Sequence, residues 1–127
     1  METQLKERRI LVVDDEPVLA RMASRMAASF GWTATTACDP SGAHAALAHG
    51  RFDLVLSDIG LGTEDGVAFA RALKRRAPKL PVVLMSGDPV NLVRAKAAGL
   101  HDTIAKPFDR EALQAAFARA LGRVDGG

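Results

Sequence analysis

The sequence predicts an α/β fold, a doubly wound five-stranded parallel sheet with helices on both faces. Two observations predict it. Short apolar runs alternate along the chain with stretches whose apolar residues fall at helical spacing. Most of the runs are apolar at consecutive positions rather than at every second one, as strands buried on both faces must be.

The elements follow in order. Ile10–Leu11–Val12–Val13 stops abruptly at Asp14–Asp15 and reads as the first strand. Pro17 then suits a first helical turn, Leu19, Met22, Ala23, Met26 and Phe30 form a helical stripe, and Gly31 suits the position just past its end. Thr33–Ala37 is the second strand, and after a turn at Asp39–Pro40 a helix covers about Ser41–Ala48. Leu54–Ser57 is the third strand, ending at Asp58; beyond a Gly-rich loop a helix covers about Gly66–Arg76. Pro81–Met85 is the fourth strand, ending at Ser86–Gly87, and a helix from about Val90 to Ala98 stops at Gly99. Thr103–Ala105 is a short fifth strand ending at Lys106–Pro107. The last helix takes Asp109 as its N-cap and runs to Leu121 along Leu113, Ala116, Phe117 and Ala120. Met22, Met26 and Trp32 read as packing residues and Cys38 as a small buried one, whereas His44, His49 and His101 read as surface or loop histidines.

Right-handed crossovers leave few topologies for such a chain, and the order 2-1-3-4-5, the flavodoxin-like (βα)5 arrangement, is the common one. The expectation is a single domain over residues 1–127, with a core of about 9–121 and a flexible tail at 122–127.

Composition narrows the function. With 48% hydrophobic and 25% charged residues of both signs, the chain has the profile of a globular domain. Its formal net charge is only +2, and the one short basic run, Lys74–Arg75–Arg76, lies on a helix end. Nucleic-acid binding would want a basic stripe with aromatic or polar base readers, so no nucleic-acid partner is expected. One cysteine excludes an internal disulfide and suits a reducing cytoplasm. No apolar run approaches the ~20 residues that span a bilayer, and Met1–Arg9 is polar. A cytoplasmic protein without membrane contact, monomeric or weakly dimeric, is the expectation.

The informative feature is where polar residues fall. The first strand ends in Asp14–Asp15 with Glu16 next, the third in Asp58, the fourth in Ser86 and the fifth in Lys106. In a parallel sheet all carboxyl ends share one edge, and open α/β sheets bind ligands there. Crowded carboxylates repel one another unless a cation lies between them. Oxygen ligands with room for water suit Mg²⁺, and the lack of histidine or a cysteine pair disfavours softer metals. A carboxylate is also a competent nucleophile toward phosphorus, and a lysine and a hydroxyl nearby can receive phosphoryl oxygens.

Four motifs in order, Ile10–Glu16, Asp58-Ile-Gly-Leu with Gly66 eight residues past the Asp, Met85-Ser-Gly87 and Ala105-Lys-Pro-Phe108, make the chain resemble a response-regulator receiver domain from about Arg9 to Leu121. The resemblance implies that Asp58 accepts a phosphoryl group from a sensor histidine kinase or a histidine phosphotransfer protein. It implies Mg²⁺ held by Asp14 (through water), Asp15, Asp58 and the backbone carbonyl of Gly60. Lys106 would contact the acceptor, Ser86 would bond the phosphoryl group, and Pro107 would follow a cis peptide bond. Output would pass to a downstream protein through the surface of the fourth helix, fifth strand and fifth helix. Such a switch catalyses only its own phosphotransfer and dephosphorylation.

Three positions depart from the family pattern. Thr103 stands where receivers usually carry Tyr or Phe, so the aromatic half of the usual switch is missing. Gly62 replaces a frequent proline, which predicts a looser loop after Asp58, and Asp88 puts a carboxylate near the pocket mouth. Taken singly, Asp14–Asp15 could cap a helix, Ser86 could be a turn residue and Lys106 a surface lysine. Together at strand ends they favour the receiver reading. The alternatives are a degenerate receiver that binds a partner without phosphorylation, and an aspartyl-phosphate phosphatase. The latter would need a second Asp where Gly60 stands.

Overall fold

In the computed structural model, which describes residues 7–126, β1 (Arg8–Val13), β2 (Trp32–Ala37), β3 (Leu54–Asp58), β4 (Val82–Ser86) and β5 (Thr103–Ala105) form one sheet. All pairings in it are parallel and the order is β2-β1-β3-β4-β5, the arrangement that the alternating pattern predicts. Register places Ile10 beside Leu54, Val55 beside Val82 and Leu84 beside Thr103. The helices are α1 (Pro17–Ala28), α2 (Pro40–His49), α3 (Gly66–Arg76), α4 (Pro89–Ala97) and α5 (Arg110–Gly126).

Strand side chains alternate between two buried layers because successive Cβ atoms point to opposite faces. Ile10, Val12, Leu54, Leu56, Val83 and Met85 pack against α1 and α5. Leu11, Val13, Val55, Val82 and Leu84 pack against α2, α3 and α4. Ile10–Val13 and Leu54–Leu56 are all fully buried, which is why these runs lack polar residues until the strands reach the sheet edge. On the first face Phe117 meets Trp32 and Phe30 edge-on, with centroids 5.5 and 5.7 Å away.

Pro17, Pro40 and Pro89 each open a helix, where the missing N–H costs nothing. Asp39 and Asp109 cap α2 and α5 by accepting from Gly42 N (2.7 Å) and Ala112 N (2.8 Å).

Three expectations need correction. Met22 is 55% exposed rather than core; α1 faces the sheet with Ala20, Ala23 and Ala27, whose small side chains bring the helix close. Cys38 is exposed, because it lies just past the end of edge strand β2. The last helix continues past Leu121 to Gly126, so residues 122–126 are helical rather than a tail. Arg123 in this extension holds Asp102 through its guanidinium at 3.1 Å. Gly127 lies outside the described residues. Among the described residues no helix is long and apolar enough to cross a membrane.

Candidate functional site

The sheet delivers its polar residues to one edge. Val13 pairs with Ser57, so Asp14 and Asp58 emerge from neighbouring strands. Asp58 pairs with Met85, and Lys106 N donates to Ser86 O at 2.9 Å, continuing the β4–β5 ladder by one residue. Asp14, Asp58 and Lys106 thus meet although they are widely spaced in sequence.

Asp14, Asp58 and Ser86 are buried (1, 9 and 4% exposed), whereas Asp15 and Glu16 face solvent. Lys106 Nζ lies 2.7 Å from Asp58 Oδ2 and 3.4 Å from Asp14 Oδ2, an ammonium between two carboxylates. The other oxygen of Asp58 accepts from Gly60 N at 3.1 Å, and Asp14 Oδ1 accepts from Glu16 N at 3.0 Å. Burial raises the Asp14 pKa, and the Asp58 charge adds to it; the Glu16 N–H and Lys106 only partly offset this. For Lys106 burial acts to lower the pKa, but the bond and charge of Asp58, with Asp14 behind, outweigh it and leave the pKa raised.

Asp14, Asp15 and Glu16 each offer a carboxylate oxygen within 4.8 Å of the others. Such a set of hard oxygen donors, two of the three open to water, fits Mg²⁺. Glu16 therefore joins the cluster that the sequence led us to centre on Asp14 and Asp15. Asp58 adjoins it through Lys106 rather than as part of the same group.

The α4 side is built differently. Ser86 Oγ accepts from Asp88 N at 3.0 Å and from Asn91 Nδ2 at 3.5 Å, donates to Asp88 O at 3.5 Å, and has no bond to Asp58 or Lys106 among the described residues. The Asp88 carboxylate caps α4 through Val90 N at 2.9 Å, so its first role is structural. Thr103 is half-buried beside Leu84, and the Lys106–Pro107 peptide is cis.

The loop after Asp58 is tied off rather than loose. Gly60–Leu61 and Glu64–Asp65 form a two-residue antiparallel ladder, with Gly62 at φ +65° in the turn. Glycine suits that first turn position, and proline, locked near −65°, could not occupy it. The ladder ends at Asp65, which caps α3 through Val67 N at 3.2 Å and also binds Arg94 at 2.8 Å. Arg94 in turn donates to Asn91 Oδ1 at 3.0 Å. Gly66 is required by contact: a Cβ there would lie 2.3 Å from the Asp58 carbonyl oxygen and 2.6 Å from Ile59 Cα.

Sequence reasoning missed Asp65, Asn91 and Arg94. The only available signal was Asp65 directly before a helix start, the mark of a cap. Beside the pocket, between α1 and the start of α5, a hollow of about 270 Å³ is lined by Leu19, Met22, Met26, Met85 and Phe108, and it reaches Asp14 and Lys106.

Residues 10–118 match the model of the response regulator receiver domain family. The chain is 41% identical over 104 residues to the probable transcriptional regulatory protein TcrX of Mycobacterium tuberculosis, covering 80% of this chain and 44% of that protein. It is 39% identical over 117 residues to the nitrogen assimilation regulatory protein NtrX of Azorhizobium caulinodans, covering 88% of this chain and 26% of that one. The chain thus spans less than half the length of these curated relatives. Among solved structures, the receiver domain of NtrX from Brucella abortus superposes with a TM-score of 0.81 at 36% identity, over 88% of this chain and 97% of that one. The chemotaxis protein CheY4 of Vibrio cholerae does so with a TM-score of 0.82 at 27% identity, over 91% of this chain and all of that one.

Proposed function

The chain belongs to the response-regulator receiver family, and on that premise we propose that Asp58 is its phosphoacceptor, fed by phosphohistidine on a sensor histidine kinase or histidine phosphotransfer protein. As a receiver it is a phosphoryl-accepting switch rather than an enzyme with a separate substrate. The observation that carries the residue assignment is the Lys106 ammonium, 2.7 Å from Asp58 in a pocket lined by further carboxylates.

An Asp58 oxygen forms the bond to phosphorus as the bond from phosphorus to imidazole nitrogen breaks; the imidazole keeps the electron pair and takes up a proton. Lys106 holds the acceptor in place and then follows the charge onto the phosphoryl oxygens. Asp14, Asp15 and Glu16 would hold Mg²⁺, with Asp58 and the Gly60 carbonyl completing the ligands. When bound, the ion neutralises charge on the transferred group. Ser86 is the hydroxyl that turns to the phosphoryl group, and Pro107 follows the bond that carries Lys106 into the site. With glycine at position 60, no second aspartate is placed to act as the general acid of a phosphatase.

The hollow beside α1, with Met22 and Val18 exposed at 55 and 58%, supports a protein rather than a small molecule as donor. Val90 and Val93, 64 and 67% exposed on α4, support output through α4, β5 and α5 to a downstream protein. One receiver domain acting in the cytoplasm, without nucleic-acid or membrane contact of its own, completes this reading; Cys38 as an exposed free thiol suits a reducing compartment.

The test is intact mass after incubation with Mg²⁺ and acetyl phosphate, beside Asp58→Ala. One phosphoryl adduct on the unaltered protein alone, lost on chelation, is expected. An adduct of equal size on Asp58→Ala would overturn the assignment.

A further inference from the structure

Two arms leave the neighbouring ends of β3 and β4 and meet again outside the pocket. One runs through the short ladder to Asp65. The other starts across the sheet edge at Ser86 and runs through Asn91 to Arg94. The Arg94–Asp65 ion pair, at 2.8 Å, closes the ring. Arg94 uses both terminal guanidinium nitrogens at once, Nη2 on Asp65 Oδ2 and Nη1 on Asn91 Oδ1, which orients the Asn91 amide nitrogen toward Ser86.

We infer that Asn91 and Arg94 are positioning residues: together with Asp65 they hold the Ser86 hydroxyl on the α4 side, and release of this latch carries phosphorylation to α4. The inference rests on the phosphoacceptor reading above. Its logic is a difference between two states. Ser86 Oγ accepts from Asp88 N and Asn91 and donates to Asp88 O here, and turning the hydroxyl toward a phosphoryl group on Asp58 means giving up that donated bond and the Asn91 contact with it. A contact present in only one state biases the equilibrium between them. With Thr103 in place of an aromatic ring, this chain of side chains is a physical connection from Ser86 into α4 that needs no ring to move.

The latch is weak by construction. Asn91 to Ser86 is long at 3.5 Å, and the side chains of Arg94 and Asp65 are 45 and 42% exposed. Exposed pairs contribute little, so its release shifts the balance by a small factor, about 3-fold.

The experiment is titration of the full chain with beryllofluoride in saturating Mg²⁺, followed by calorimetry. Asn91→Ala, Arg94→Ala and Asp65→Asn should each tighten binding about 3-fold; asparagine keeps the α3 cap, so the last variant removes the ion pair alone. Asp65→Asn combined with Arg94→Ala should add nothing further, because both break one link. Arg94→Lys should rescue only in part, since an ammonium cannot reproduce the fork. In a Ser86→Ala background all these gains should vanish, which a merely structural role would not produce. Unchanged affinities, or gains that persist without the Ser86 hydroxyl, would overturn the latch while leaving Asp58 as acceptor. Failure of the unaltered protein to bind beryllofluoride would overturn the phosphoacceptor reading and the latch with it.

Discussion

The α1 side of the pocket and its α4 side are built on opposite principles. On the first, buried Asp14 and Asp58 share one ammonium, with no other cation in contact among the described residues. On the second, Ser86 is buried, but the residues behind it, Asn91, Arg94 and Asp65, reach solvent. Charges in a low-dielectric pocket interact strongly and resist rearrangement, whereas exposed pairs contribute ~0–1 kcal/mol. On the proposed reading, the difference teaches that the acceptor chemistry occupies the rigid half and the response the half where small changes can move it.

The comparison can be broken at its hinge. Gly66→Ala forces a methyl group against the Asp58 carbonyl and Ile59, to which both halves are attached. It should destabilise the fold by about 3 kcal/mol, seen as a lower denaturation midpoint. A loss well under 1 kcal/mol would mean that the β3–α3 junction yields easily and the halves are less rigidly joined than drawn.

On the rigid side, Lys106→Ala should slow phosphorylation by acetyl phosphate about 100-fold, the usual order for removing a donor aimed at developing charge. That is about 2.7 kcal/mol of barrier and far larger than any change on the α4 side. A slowing of only 3-fold would erase the contrast.

The smallest effect concerns stability. Because burial raises the Asp14 pKa, the folded state holds that proton more tightly than the unfolded one. The penalty of the ionised, buried carboxylate is therefore present at neutral pH and fades as pH falls through the raised pKa. In metal-free buffer Asp14→Asn should stabilise the fold at pH 7 by about 1 kcal/mol, with the gain shrinking toward acid. The same variant should bind Mg²⁺ less well. Destabilisation at pH 7 would mean that Asp14 is stabilised by Lys106 more than burial penalises it.

Much of this was legible in the residues themselves. Short, mostly apolar runs ending in Asp14, Asp58, Ser86 and Lys106 give both the parallel sheet and the edge where the site forms, because strand direction alone gathers those ends. α3 and β5 fall where the pattern puts them. Met22 misled because helical spacing identifies a stripe without saying whether its large or its small members face the sheet. Asn91 and Arg94 were invisible because polar residues on a helix read as solvated surface, and their partners Ser86 and Asp65 are separated from them by loops and turns. Gly62 signalled backbone freedom, but the pairing of Gly60–Leu61 with Glu64–Asp65 depends on where the chain goes next.

Asp14 and Lys106 stand 92 residues apart in the chain, and Asp58 and Lys106 stand 48 apart. Contacts of such separation require long stretches of chain to be closed, at an entropic cost that local contacts avoid. A nascent chain that has made β1 and β3 but not β5 carries the crowded carboxylates without their ammonium. Taking a phosphoryl group at full rate thus needs the strand that comes last in the chain, and a copy lacking β5 would be charged far more slowly.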